Sequence, residues 1–196
     1  MARKYSRRSS RRVRKVRKQT KRVHKMRGGG PYEDEIRRVL YLFRNDFQDK
    51  RVLDIGSRDG LNCITLAGLG AREVIGIDLD DSRFGEMPAN PKVRLIKADL
   101  LTFHDEEKFD IITCFLWNMP VPQYQAVMDK IKELLKPGGK VIIGFHDALY
   151  KEGYINSTGR SYPNTGSVPE LLERNFNNSN TIHNGYQQIM MASDPK

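Results

Sequence analysis

Three carboxylates end three successive apolar runs of this 196-residue chain: Asp54 in "VLDIG", Asp78 in "EVIGID" and Asp99 in "VRLIKAD". After the first of them, "GSRDG" at residues 56–60 forms a turn bounded by glycines. A carboxylate two residues before such a turn can attract or orient an ammonium, directly or through water. Backbone amides around Gly56, Ser57 and Gly60 then approach the rest of the ligand, and Gly60 opens a helix whose N-terminus favours a carboxylate. Asp78 stands where an acid accepts both hydroxyls of a ribose, with Leu79 beside it. Asp99 can accept from an exocyclic adenine amine, with Leu100 packed beside the ring. A single acid at a strand end is commonly a solvated turn residue. The ordered set points to a nucleoside that carries an ammonium.

A dinucleotide is the rival ligand. Its fingerprint G-x-G-x-x-G, started at Gly56, requires glycine at positions 58 and 61, where this chain has Arg58 and Leu61. A pyrophosphate approaches the backbone at the place where Arg58 carries a side chain, so the fit is poor. Arg58 is expected to point to solvent or to pair with Asp59 or Asp80.

These residues need a scaffold that brings strand ends together. "RVLDIG", "EVIGID", "VRLIKAD", "FDIITCFLW" and "GKVIIGF" are five short runs rich in β-branched residues with turn signals between them, and they read as strands. Ile36, Val39, Leu40, Phe43 and Phe47 follow helical spacing ahead of the first strand. "LNCITLAGLG" is a short helix ended by glycine. Val121, Tyr124, Val127, Met128, Ile131, Leu134 and Leu135 form a helical stripe that stops at "KPGGK". "VPELLERNF" is a last helix before two strand-like runs joined by "NG", a hairpin signal. Apolar strands separated by helices are covered on both faces, which predicts an α/β fold with a largely parallel sheet and helices on both sides. Such sheets bind ligands beyond the carboxyl ends of their strands, where the strand order reverses.

The sequence resembles the class I S-adenosylmethionine-dependent methyltransferases. "VLDIGSRDG" is similar to that family's first motif, "VIGID" to its second-strand acid, "KADLL" to its third-strand acid, and "LLKPGGKVIIG" to its helix, turn and fifth strand. The resemblance covers nearly all of residues 32–193. It implies a Rossmann-like, seven-stranded, mostly parallel sheet whose last strand is antiparallel. It also implies S-adenosyl-L-methionine as cofactor, held by Asp54, Gly56, Ser57, Gly60, Asp78 and Asp99; Leu79 and Leu100, beside two of these acids, are further candidate cofactor contacts. Arg58, at the glycine-favoured middle of the turn, departs from the family pattern.

Methyl transfer from a sulfonium requires alignment, and a base where the acceptor proton must leave. His146 and Asp147 directly follow the fifth strand, and His146 is the candidate base; the alternative is a structural histidine bonded to the backbone. Asn118, in "NMPV", is compared with the N-P-P-Y motif of amino-methylating enzymes, although Met119 and Val121 break that pattern. The bland reading ends a strand at "CFLWNMP" and starts a helix with Pro120 and Pro122. Trp117 either covers a ring or packs in the core. The polar stretch that follows, with Tyr150 and Tyr154 among interleaved cations, reads as a lid or binding loop, or else as disordered chain. Trp117, Asp147, Tyr150 and Tyr154 are the candidate acceptor-side residues. No metal site is expected.

Charge divides the chain. Of its 34 basic residues, fourteen lie in residues 1–30, all within 3–27, where there is no acid; the remaining twenty face twenty-four acids in residues 31–196. Residues 1–30 therefore form a basic arm that self-repulsion is expected to leave disordered, and residues 31–196 form one domain. The arm is no signal peptide or membrane span, though its composition is shared by mitochondrial transit peptides. It reads as a nucleic-acid tether, or as a solubilising or nuclear-targeting tail. Cys63 and Cys114 read as buried thiols of an intracellular, reducing compartment, with the nucleus, nucleolus or a viral factory as fitting places for such an arm. The expected activity is methyl transfer to nucleic acid or a nucleic-acid-associated protein. The alternatives are a small-molecule or protein methyltransferase, and a nucleic-acid-binding or packaging protein with a non-catalytic cofactor domain. The oligomeric state is left open.

Overall fold

A computed structural model describes residues 31–115, 123–145, 167–184 and 188–196. The helical spacing of Ile36, Val39 and Leu40 gives α1 (Pro31–Leu42), and a 3-10 turn at Arg44–Asp46 then carries Phe47 into the same core. The β-branched runs give β1 (Arg51–Ile55), β2 (Glu73–Asp78), β3 (Val93–Lys97) and β4 (Phe109–Phe115), with α2 (Leu61–Gly68) between the first two. There follow α3 (Tyr124–Leu134), β5 (Leu135–Phe145), α4 (Ser167–Asn175), β6 (Phe176–Asn184) and β7 (Gln188–Pro195).

The seven strands form one sheet in the order β3-β2-β1-β4-β5-β7-β6. β7 runs antiparallel to both of its neighbours, and the pairs from β3 through to β5 are parallel. The expected architecture is therefore present, including the reversed last strand.

Alternation along the strands builds two cores. Val52, Val74, Ile111 and Ile142 face α1 and α2, with Ile36, Leu40, Cys63 and Leu66. Leu53, Ile75, Ile112 and Val141 face α3 and α4, with Val127, Met128, Ile131 and Leu172. Helices thus cover both faces.

Two details differ from the sequence expectation. The strands are not all separated by helices: residues 79–92, between β2 and β3, form turns without a regular helix, and only a 3-10 turn at Leu100–Thr102 joins β3 to β4. "GEMPANPK" explains the first case, since Gly85, Pro88 and Pro91 oppose helix propagation. "KPGG" also does not stand apart as a turn; it lies inside β5, where a register shift against β4 between Phe109 and Ile111 accommodates it.

The strand starts are tied by Arg51, which is buried. Its Nε donates to Glu73 Oε2 at 2.6 Å and its Nη2 to Asp105 Oδ1 at 3.0 Å, and its guanidinium lies 4.3 Å from the Phe109 ring centroid. Arg51 Nη1 donates to the Glu107 carbonyl. This network holds the edge of the sheet opposite to the strand ends considered below. No helix among the described residues is long and apolar enough to cross a membrane.

Candidate functional site

The strand order runs from β1 through β2 to β3 on one side and through β4 to β5 on the other, so the reversal lies between β1 and β4. A crevice opens beyond the strand ends at such a reversal. The turn at residues 56–60 sits there. Gly56 and Gly60 take φ of +75° and +83°, and Arg58 between them takes φ of +50°. The two glycines enter the left-handed region without a Cβ penalty, whereas Arg58 is a non-glycine residue in that conformation. A Cβ on Gly56 would meet nothing within 4 Å, so that side of the turn is open.

Backbone bonds clamp the turn to β2. Gly56 and Ser57 both donate to the Ile77 carbonyl, at 2.9 and 3.1 Å, and Gly60 donates to the Ser57 carbonyl at 2.8 Å. Asp78 adds the bond that closes the arrangement: its Oδ2 accepts from the Arg58 amide at 2.9 Å while its Oδ1 accepts from the Asp80 amide at 3.0 Å. Each carboxylate oxygen has lone-pair capacity for a second donor. Leu79, next in sequence, is 69% exposed, an apolar surface beside a carboxylate.

Asp54 occupies a different place from the one expected of an ammonium ligand. It is 1% exposed and lies beneath the turn. Parallel register puts Thr113 of β4 opposite it, and Thr113 Oγ1 donates to Asp54 Oδ1 at 2.7 Å. Cys63 of α2 approaches Asp54 Oδ2 with its Sγ at 3.5 Å. Burial pushes the Asp54 carboxyl up to about 7; the bonds from Thr113 and Cys63 oppose the rise, and the charges of Asp78 and Asp59 add to it. The same burial, with the neighbouring Asp54 carboxylate, pushes the Cys63 thiol well up.

Ser57 is also buried, and its Oγ has no hydrogen-bond partner among the described residues. Asp99 caps the 3-10 turn by accepting from the Leu101 amide at 2.9 Å and is exposed. Leu100, expected beside a ring, is turned into the α3 and α4 core. The structure therefore gathers Gly56, Ser57, Gly60, Asp78 and Leu79 around one crevice edge with Asp54 underneath, and puts Asp99 at the end of the outermost parallel strand. Asn118, Trp117, His146, Asp147, Tyr150, Tyr154 and the arm at residues 1–30 lie outside the described residues.

Sequence reasoning missed the residue that pins Asp59. Arg83, from the helix-free β2–β3 connection, places Nη2 3.2 Å from Asp59 Oδ2 and 2.7 Å from Glu86 Oε2. Asp59 Oδ1 meanwhile accepts from the Leu61 amide at 3.1 Å, at the first turn of α2. Opposite charges in two strand-end loops were the available signal. Thr113, a hydroxyl within an otherwise apolar run, was the signal for a buried partner of Asp54. Among the described residues no group of His, Cys, Asp and Glu could hold a metal ion.

Comparison with known proteins agrees with this geometry. A family model described as a methyltransferase domain matches residues 23–178. A ubiquinone biosynthesis O-methyltransferase of Paraburkholderia phytofirmans is 37% identical over 120 residues, covering 58% of this chain and 51% of that protein. A ribosomal protein L11 methyltransferase of Fusobacterium nucleatum is 33% identical over 123 residues, covering 59% of this chain and 38% of that protein. The chain thus spans about half the length, or less, of these relatives. The N-methyltransferase NodS from Bradyrhizobium japonicum, in complex with S-adenosyl-L-homocysteine, superposes with a TM-score of 0.62 at 18% identity, covering 85% of this chain and 89% of that one, which shows a shared fold.

Proposed function

Because the chain belongs to the class I S-adenosylmethionine-dependent methyltransferase family, we propose that it transfers the methyl group of S-adenosylmethionine to nucleic acid or to a nucleic-acid-associated protein, held nearby by the basic arm at residues 1–30. The observation that carries the enzyme reading is the Asp78 carboxylate beside an open-sided left-handed turn at the strand-order reversal.

The residues present fit the cofactor. The open space at Gly56 admits a ligand against the backbone, Asp78 can accept two further donors such as ribose hydroxyls, and exposed Leu79 offers a surface for a ring. Asp99, exposed after β3, is the acceptor assigned in this reading to an amine at the edge of that ring. Asp54 acts from beneath, holding β1, β4 and α2 together under the turn through Thr113 and Cys63. When bound, S-adenosylmethionine supplies a methyl group on a sulfonium, whose charge already activates the leaving sulfur. The chain's own task is then alignment, with proton removal assigned to His146 and acceptor positioning to Asn118, Trp117, Asp147, Tyr150 and Tyr154.

The acceptor class rests on the arm. Fourteen basic residues without an acid supply sequence-independent attraction to phosphates, whereas residues 31–196 carry more acids than bases. Similarity to a protein named ribosomal protein L11 methyltransferase favours an acceptor associated with nucleic acid. Similarity to a ubiquinone biosynthesis O-methyltransferase supports the second reading, a small-molecule acceptor. Two buried free thiols, Cys63 and Cys114, suit a reducing compartment.

Incubation with labelled S-adenosylmethionine and fractionated RNA, DNA, protein and metabolite pools tests the assignment. Label is expected in RNA, DNA or a protein that co-purifies with them. Label confined to metabolites would establish the second reading. Absence of any cofactor affinity by calorimetry would leave a non-catalytic nucleic-acid-binding domain.

A further inference from the structure

At the C-terminal end of α1 the surface carries an open cleft of about 520 Å³, lined by Tyr41, Arg44, Asn45, Gln48, Gly68 and Leu69. It belongs to the edge where strands begin, opposite to the turn at residues 56–60. The Asp49 amide donates to the Gly70 carbonyl at 3.0 Å, the Arg72 amide donates to the Lys50 carbonyl at 2.8 Å, and Lys140 Nζ donates to Asp46 Oδ1 at 2.7 Å. These bonds fix both walls to the sheet, so the cleft is preorganised.

The lining sets an exposed aromatic ring beside polar side chains. Tyr41 is 57% exposed, with exposed Leu42 beside it. None of the six lining residues is acidic, and a guanidinium and two carboxamides stand next to the aromatic ring. From Arg37 to Lys50 there are four basic residues against two acids; Arg37 is paired with Asp34 and Asp46 with Lys140, which leaves Arg38, Arg44 and Lys50 against Asp49. The lining mixes apolar and polar surface, so the apolar face of a protein helix would leave Arg44, Asn45 and Gln48 without partners. A flat π face, a fixed cation for phosphate and amides that reach base edges match an unpaired nucleotide.

We propose that this cleft is a base-stacking anchor for single-stranded nucleic acid. The proposal rests on the nucleic-acid reading above and names the form of nucleic acid and the place it is held. Tyr41 supplies the stacking platform, Arg44 the phosphate contact, and Asn45 and Gln48 the polar contacts to the base. The arm joins α1 at Pro31 and the cleft lies at the other end of this 12-residue helix, about 18 Å along the helix axis. The arm collects polyanions without discrimination, whereas the cleft selects strands with exposed bases. Lying across the sheet from the crevice, the anchor affects binding and KM and leaves kcat unchanged.

The test is binding of a labelled mixed-sequence 20-nucleotide single strand, as DNA and as RNA, and of its duplex, by the full chain and its variants at several salt concentrations. Tyr41→Ala is expected to weaken single-strand binding by roughly five- to a hundred-fold, the range for loss of one stacked base. The slope of affinity against salt and the duplex affinity should stay unchanged, because no phosphate contact is lost. Tyr41→Phe should restore binding, and Arg44→Ala should weaken it while reducing the salt slope by about one. Both side chains are exposed, so unchanged melting temperatures will show that the fold is intact. Single-strand affinity equal to wild type in Tyr41→Ala, or an equal loss for duplex, would overturn the anchor. So would capture of a protein partner that depends on Tyr41 while oligonucleotide binding does not. Deleting residues 1–30 separates the two ideas: binding lost on deletion but untouched by Tyr41→Ala removes the anchor and keeps the tether, and the opposite pattern removes the tether and keeps the anchor.

Discussion

The backbone amide of Arg58 donates to the side chain of Asp78 at 2.9 Å, so the turn after the first strand is closed by the acid that ends the second. The side chain that excludes a pyrophosphate fingerprint is thus carried on a backbone unit that completes the candidate ribose site. Asp78 shapes the turn and, in the function proposed above, also presents acceptors to the cofactor. Asp78→Ala removes both and is expected to weaken S-adenosylmethionine binding about ten- to a hundred-fold, since it leaves donors unpaired in a partly buried site. Isothermal calorimetry measures this directly. An unchanged dissociation constant would show that the cofactor lies elsewhere.

Arg83 holds the turn from the other side through Asp59. Arg83 is about 40% exposed, so Arg83→Ala should change stability by only about 0–1 kcal/mol. Cofactor affinity should fall several-fold all the same, with Lys restoring part of it, because the pair fixes a turn that contacts the ligand. Equal effects on melting and on affinity would reduce Arg83 to a surface ion pair.

Asp54 makes stability depend on pH. Its carboxyl is raised to about 7 in the fold, whereas an unfolded aspartate ionises near 3.9. The folded chain therefore holds a proton that the unfolded chain releases. The stability it confers is complete below about pH 4 and is lost as pH rises to about 7. Three pH units correspond to about 4 kcal/mol as an upper bound. Asp54→Asn should flatten this slope, which urea denaturation at pH 5 and pH 8 will measure. Identical slopes in both proteins would show that Asp54 ionises normally.

The two turn glycines should respond differently to alanine. At Gly56 the space is open, so the substitution brings only the left-handed strain of about 1–2 kcal/mol while placing a methyl in the ligand's path. At Gly60 the new Cβ would lie 2.8 Å from Leu95 Cδ1, so packing is disturbed as well. Chemical denaturation should therefore rank Gly60→Ala as the less stable variant. Cofactor titration should show Gly56→Ala impaired beyond its loss of stability. Reversal of either order would contradict the geometry.

The arm should dominate salt dependence. Removing residues 1–30 takes away fourteen positive charges and is expected to flatten the dependence of nucleic-acid affinity on salt while leaving cofactor affinity intact. Filter binding between 50 and 200 mM salt, at concentrations on the order of those where counterion release is large, will show it. A truncated chain that binds as tightly, with the same slope, would refute the tether.

Much of this was legible in residue order because it is local. Short, continuous apolar runs rich in β-branched residues, such as "RVLDI" and "EVIGID", specify strands covered on both faces, and an acid at the end of such a run remains at the strand end in any parallel arrangement. Asp54, Asp78 and Asp99 could therefore be placed at strand ends before any coordinates, as could the terminal hairpin from its "NG" signal; the reversal of β7 against the sheet followed from the family resemblance. The missing helix between β2 and β3 was readable in Gly85, Pro88 and Pro91, but the apolar strands around it suggested regular alternation.

What the strand-end acids face is another matter. Asp54 is paired with Thr113, 59 residues away, and Asp59 with Arg83, 24 residues away, and both pairings depend on register and loop path. Tertiary structure alone turned Asp54 inward under the turn, turned Leu100 into the core and left Leu79 and Tyr41 exposed. The physical reason is that hydrophobic periodicity and turn chemistry act over a few residues, whereas burial and pKa arise from which strands become neighbours. The sequence by itself determined the fold family, the strand ends and the charge of the arm; packing decided which of those carboxylates reach the surface and which one is buried beneath the turn.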